Sequence, residues 1–188
     1  MSYEGIIRNS NTVLPKKETA VKTAANLIHS ECLELLQFRN HEEEKSARLY
    51  EDMYMFLNNA GYTGAGKLWH KYAHEELEHA DWAREYLMSL GIQPELREMP
   101  KLCGNYTDLA EVIKLSYQHE IEITEQCKAL AACAMKHGDF MLYELAAKYL
   151  REQIEEVDKL QTWMDKLKIF GADKTALRFL DNEMGGLA

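Results

Sequence analysis

Apolar residues recur along this chain at the three- and four-residue spacing of helices that bury one face. A first stripe runs Leu33, Leu36, Asn40, Glu43, Ala47, Tyr50, Tyr54 and Leu57, and a second Leu68, Tyr72, Glu75 or Glu76, His79, Ala83, Tyr86 and Leu90. A third is Leu109, Ile113, Ser116, Glu120, Ile123, Cys127 and Leu130. The fourth is Leu142, Leu145, Tyr149, Glu152 or Gln153, Glu156, Leu160, Trp163 and Leu167. Stretches 16–60, 67–90, 105–137, 139–170 and 172–184 contain neither glycine nor proline. The pattern predicts four long helices and a short fifth. Gly91 and Gly138 stand where left-handed C-terminal caps are wanted, and Thr107 and Asp173 are the expected N-caps of the third and fifth helices.

The links set the topology. Those around Gly61–Gly66 and Gly138 are short and join antiparallel neighbours. The link from Gly91 to Tyr106 holds Pro94 and Pro100. Extended at ~3.3 Å per residue it reaches roughly 46 Å, more than the length of a ~27-residue helix at about 40 Å. It can therefore cross a bundle from end to end. The fold class is all-α: a four-helix bundle with one long crossover and a short C-terminal helix.

Each stripe is apolar at its ends and acidic in its middle. Carboxylates converging on a bundle interior lose hydration and repel one another, and a bound cation removes that conflict. The spacing repeats: Glu43 precedes Glu76 by 33 residues and Glu76 with His79 forms Glu-x-x-His, while Glu120 precedes Gln153 by 33 and Gln153 with Glu156 forms Gln-x-x-Glu. An i, i+3 pair shares one helix face, so each half offers three groups to a central pair of ions. Oxygen donors with one imidazole favour a hard, redox-capable metal such as iron over structural zinc.

At these residues the chain resembles the non-haem bacterial ferritins, from about Ser30 to Leu187. Tyr50 seven after Glu43, Tyr72-Ala73-His74-Glu75-Glu76-Leu77-Glu78-His79, Tyr117-Gln118-His119-Glu120 and Glu152-Gln153-Ile154-Glu155-Glu156 carry the resemblance. It implies a ferroxidase that oxidises Fe(II) with O2 or peroxide and stores ferric mineral in a self-assembled 24-subunit cage. It also implies roles for single residues. Glu43 and His79 bind the first iron, Glu76 bridges, Glu120 and Glu156 bind the second, and Gln153 lies beside it. Tyr50 neighbours the first iron, and Glu75, Glu152, Glu155 and Glu156 match a third, inner-surface site. Bacterioferritins carry a methionine haem ligand where this chain has Leu77, and a second-half Glu-x-x-His where it has Gln153 and Glu156, so no haem is expected. Two rivals stay open: a non-storing di-iron oxidase or peroxide scavenger on the same bundle, and a metal-free helical interaction protein.

Composition narrows the partners. The 188 residues suit one domain, and 46% apolar content is too high for a disordered acidic tail. A formal net charge of -9 without a basic cluster argues against nucleic acid. The longest apolar run, Ala129 to Met135, is far short of a membrane span, and no basic start with a following apolar stretch marks a signal peptide. Cys32, Cys103, Cys127 and Cys133 contain no C-x-x-C pair, which fits reduced thiols, a cytoplasmic location and no disulfide. Met135, Met141 and Met164 are expected to pack, and His119 to lie at the surface or just outside the metal ligands. The expected layout is an N-terminal extension over 1–29, a bundle over 30–170 and the short helix over 171–188. The extension carries a charge of +2 from Arg8, Lys16, Lys17 and Lys22 against Glu4 and Glu18.

Overall fold

A computed structural model describes residues 23–188. Residues 1–22, most of the expected extension, lie outside them. After a single 3-10 turn, Ala24–Leu27, come α1 (Ser30–Asn59), α2 (Thr63–Ser89), α3 (Leu109–His137), α4 (Phe140–Phe170) and α5 (Lys174–Gly185). No strand occurs among the described residues. α1 pairs with α2 and α3 with α4, the two antiparallel pairs that the short links require.

The caps explain where the helices stop. Gly138 ends α3 at φ 66°, a left-handed conformation costly for any residue with a Cβ. Asp173 caps α5 through Thr175 N and Ala176 N, as its sequence position suggests. α3 departs from expectation. Its N-cap is Asp108, whose side chain accepts from Glu111 N at 2.9 Å, while the Thr107 hydroxyl and amide donate to Glu111. A carboxylate at Asp108 meets the positive end of the helix with full charge, which the Thr107 hydroxyl cannot match.

The crossover lies along α1. Gln37 donates to Gln93 O and accepts from Glu95 N, Asn40 donates to Glu95 O, and Asp52 accepts from Gly104 N and the Tyr106 hydroxyl. From Gln37 to Asp52 is about 22 Å of helix at ~1.5 Å per residue, so the link spans most of the bundle.

Two apolar clusters fill the ends of the bundle. One holds Leu57, Trp69, Ile113, Leu160 and Trp163 with Leu177, Leu180 and Met184 of α5; the other holds Leu36, Leu87, Leu130, Ala134 and Leu142. The stripe of α1 is rotated from the expected one: Cys32 and Met53 are buried where Leu33 and Tyr54 were expected, and in α4 Ala146 replaces Leu145. Met135 and Met141 are exposed rather than packed because each faces outward beside the α3–α4 turn, whereas Met164 packs against the core.

α5 folds back onto α2. Asp181, fully buried, accepts from Gly64 N at 2.8 Å and Ala65 N at 2.9 Å, satisfying the first amides of a helix whose own N-cap, Tyr62, gives no side-chain bond. A Cβ on Gly64 would meet Asp181 O at 2.0 Å, so only glycine permits this approach. Asp181→Ala is expected to cost about 1–3 kcal/mol by orphaning both amides. In limited proteolysis α5 should be cut first; equal resistance in variant and parent would show that the cap does not hold it.

Candidate metal centre

The polar middle of each stripe meets between the two apolar clusters. Glu43 on α1, Glu76 and His79 on α2, Glu120 on α3, and Gln153 and Glu156 on α4 are all buried. Where the stripe left Glu75 or Glu76 open, Glu76 is inside and Glu75 only half-buried; Gln153 is inside where Glu152 is half-exposed, and Glu155 faces solvent.

One trio is ready for an ion. Glu43, Glu76 and His79 each present a donor atom, and these lie within 4.8 Å of one another. Glu43 Oε2 is buried without a hydrogen-bond partner. Such an orphaned carboxylate oxygen is costly unless a cation meets it, so the residues fit a hard divalent metal. His79 Nδ1 lies 3.3 Å from Glu76 Oε2, and the His79 carbonyl accepts from the Tyr149 hydroxyl at 2.6 Å, which ties this turn of α2 to α4.

The second group is joined by hydrogen bonds. The Tyr50 hydroxyl donates to Glu120 Oε1, and Gln153 Nε2 donates to Glu120 Oε2 at 3.2 Å. Thr124 donates to Gln153 Oε1 at 2.9 Å, which fixes that amide so that its NH2 faces the carboxylate. Glu156 pairs with Lys159 Nζ at 2.8 Å.

Burial governs the charge. It pushes Glu76 well above the usual carboxylate range, and the neighbouring charges of Glu120 and Glu43 add to the shift. Burial raises Glu120 to about 7 even though the Tyr50 hydroxyl opposes the shift, and it raises Glu156 against the pull of Lys159. The Tyr50 hydroxyl, buried beside Glu120, is held well above its ordinary value and stays a donor.

Two cations here escaped the sequence reading. Arg39 is buried, with Nε 2.8 Å from Glu43 Oε1, although its N–H is not aimed along that contact; Nη1 donates to Gln126 at 2.7 Å. Lys159 lies between Glu156 and Glu75, 3.7 Å from the latter. Their signal was present: Arg39 is four before Glu43 and Lys159 three after Glu156, so each shares a helix face with a seam carboxylate. His119 is half-buried just outside the carboxylates. It contacts the Ser46 hydroxyl at 2.7 Å and turns edge-on to the Tyr50 ring, and burial with the nearby Arg39 and Lys45 charges holds it down at about 4.

Comparison with known proteins points the same way. The ferritin-like domain family matches residues 33–170. The chain is 28% identical over 161 residues to the bacterial non-heme ferritin of Escherichia coli O6:H1, covering 86% of this chain and 98% of the relative. It is 27% identical over 162 residues to the bacterial non-heme ferritin of Campylobacter jejuni, covering 86% and 97%. A crystal structure of an open-pore ferritin from the archaeon Archaeoglobus fulgidus superposes with TM-score 0.80 at 28% identity, covering 84% of this chain and 98% of that one.

Proposed function

Because this chain belongs to the ferritin-like domain family, we propose that it is a ferroxidase and iron-storage protein, taking Fe(II) as substrate at the buried carboxylates and holding the ferric product inside a cage of its own copies. The observation that carries this reading is the Glu43–Glu76–His79 trio, whose donor atoms lie within 4.8 Å of one another around an unpartnered Glu43 oxygen. Beside it, Glu120, Gln153 and Glu156 supply the second half of a two-ion centre.

Glu43 and His79 hold one Fe(II), Glu120 and Glu156 the other, and Glu76 bridges. Each Fe(II) yields one electron, so the pair can reduce O2 by two electrons, or peroxide to water. The protein's part is electrostatic and geometric. Burial shifts Glu76, Glu120 and Glu156 toward their protonated forms when no ion is present, and the arriving metal charge favours loss of those protons. Tyr50 donates to Glu120 and Gln153 braces its other oxygen, so that carboxylate keeps one orientation through loading. Arg39 and Lys159 offset part of the negative charge without metal. A third ion at Glu75, Glu152, Glu155 and Glu156 would have to displace the Lys159 ammonium from between Glu75 and Glu156.

Anaerobic titration should give two Fe(II) per chain, and O2 should then oxidise them rapidly. Light scattering after size exclusion, before and after iron loading, should find a multi-subunit particle. A monomer or dimer that still oxidises iron would favour the non-storing oxidase; absence of Fe(II) binding would overturn both.

A further inference from the structure

A second cluster of metal-ligating side chains lies at the opposite purpose and place from the carboxylate centre, at the end of the bundle where α1 begins and α3 ends. Cys32 of α1, with Cys133 and His137 of α3, present two sulfurs and a ring nitrogen within 4.8 Å of one another. Cys32 and Cys133 are buried, while the His137 side chain is 20% exposed and opens the cluster to solvent. His137 also forms a second trio with His29 and Glu31 at the same spacing. We propose that Cys32, Cys133 and His137 form a structural Zn(II) site, with Glu31 or His29 completing the fourth corner.

The geometry suits the ion. Zinc bonds thiolate at about 2.3 Å and imidazole at about 2.0 Å in a tetrahedron, which puts neighbouring donors roughly 3.3–3.8 Å apart. Donors already within 4.8 Å need only small side-chain adjustments. Cys133 and His137 are an i, i+4 pair and project from one face of α3, while Cys32 approaches from the first turns of α1. His29 and His137 stack with centroids 3.6 Å apart, and His137 Nε2 lies 3.0 Å from Glu31 Oε2, so the candidates for the fourth position are gathered around the same imidazole. Lys136 also pairs with Glu31, at 2.8 Å, and a zinc-bound Glu31 would share its charge between the two cations.

An independent feature at the same end favours a cation. Asp139 is buried, and while its Oδ1 caps α4, its Oδ2 has no partner; the buried Tyr86 hydroxyl has none either. Asp139 Oδ2 is thus a buried carboxylate oxygen left without a donor at this end of the bundle. Two thiols packed for their apolar character alone would not call for a carboxylate and an imidazole beside them. On binding, each thiol gives up its proton to solvent and the two thiolates neutralise the zinc charge.

Donor type keeps this site apart from the iron centre. Thiolate and imidazole select Zn(II), whereas carboxylates suit Fe(II). Cys32 and Glu43 on α1 are about 16 Å apart along the helix at ~1.5 Å per residue. Metal here would clasp the start of α1 to the end of α3, positions 32 and 133 in the chain.

Cobalt(II) is the probe. With metal-free full-length chain kept reduced by a phosphine, one Co(II) per chain should produce intense near-ultraviolet thiolate-to-cobalt charge transfer that Zn(II) abolishes. Cys32→Ser with Cys133→Ser should lose the band but still bind Fe(II), and Glu76→Ala should keep the band, which separates this site from the carboxylate centre. His137→Ala should weaken Zn(II) roughly tenfold or more. Should the double variant not fold, the unaltered chain still decides: the exposed Cys103 should react at once with a disulfide reagent with or without metal, and Zn(II) should slow the later reaction of two buried thiols at least tenfold relative to the metal-free chain. No charge transfer, a band that survives loss of both cysteines, or no protection would overturn the proposal.

Discussion

Replacing Glu76 and His79 together with alanine is expected to abolish tight Fe(II) binding and to slow iron oxidation by more than about 100-fold. Changing groups that merely support metal ligands costs roughly 10–100-fold, and this pair removes the carboxylate proposed to bridge the two ions and the only imidazole of the buried trio. The variant should still fold. Burial and the charges of Glu120 and Glu43 push Glu76 well above the usual carboxylate range, the mark of a carboxyl unfavourably placed without metal, so losing it relieves the metal-free core. Circular dichroism and melting should therefore match or exceed those of the parent while stopped-flow absorbance shows the oxidation phase gone. Oxidation at the parent rate would remove these residues from the centre.

The second large effect is a fall in the stability of the metal-free protein as pH rises from about 4.5 to about 7. A carboxyl whose pKa is raised on folding binds its proton more tightly in the native state, so between the unfolded and folded values the native state carries more protons. Stability is then greatest below that window and declines through it. Glu120, moved from 4.5 to about 7, contributes on the order of 3 kcal/mol taken alone. Glu76 and Glu156 act in the same direction. At about 2–4 °C per kcal/mol for a chain of this size, Glu120→Gln should raise the Tm of the metal-free protein at pH 8 by roughly 6–12 °C and change it little at pH 4.5. Gln keeps an acceptor for Tyr50 but sets its NH2 against the donating Gln153 amide at every pH, so the pH dependence of the difference, rather than its size, reports the charge. Metal should abolish the advantage of the variant at pH 8. Identical pH profiles for variant and parent would show that Glu120 carries no such strain.

The two halves of the problem were unequally legible in the sequence. The antiparallel pairs, the crossover and the caps at Gly138 and Asp173 follow from breaker positions and link lengths, because those are local constraints on backbone conformation. The mirrored spacing of Glu43, Glu76 and His79 with Glu120, Gln153 and Glu156 follows from helical periodicity, and all six prove to be buried. Thr107 was displaced by Asp108 because neighbouring capping residues compete, and the better acceptor at the helix dipole prevails. Arg39 and Lys159 shared faces with the carboxylates, but an isolated basic residue near a helical seam ordinarily extends to water.

The sequence by itself determined an all-α crossover bundle and a pair of repeating polar interruptions, since both are written in short-range spacing. The apolar stripe alone left Glu75 and Glu76 open, one position and about 100° of helix rotation apart, and the 33-residue spacing pointed to Glu76, which the tertiary structure buries. Packing of α2 against α1 turned Glu76 inward. Only packing brought Arg39 onto Glu43 and folded α5 under Gly64 through Asp181. The same holds for Cys32 beside Cys133 and His137: no periodicity relates residues 101 positions apart, and their meeting depends on how two helix ends from different pairs come together.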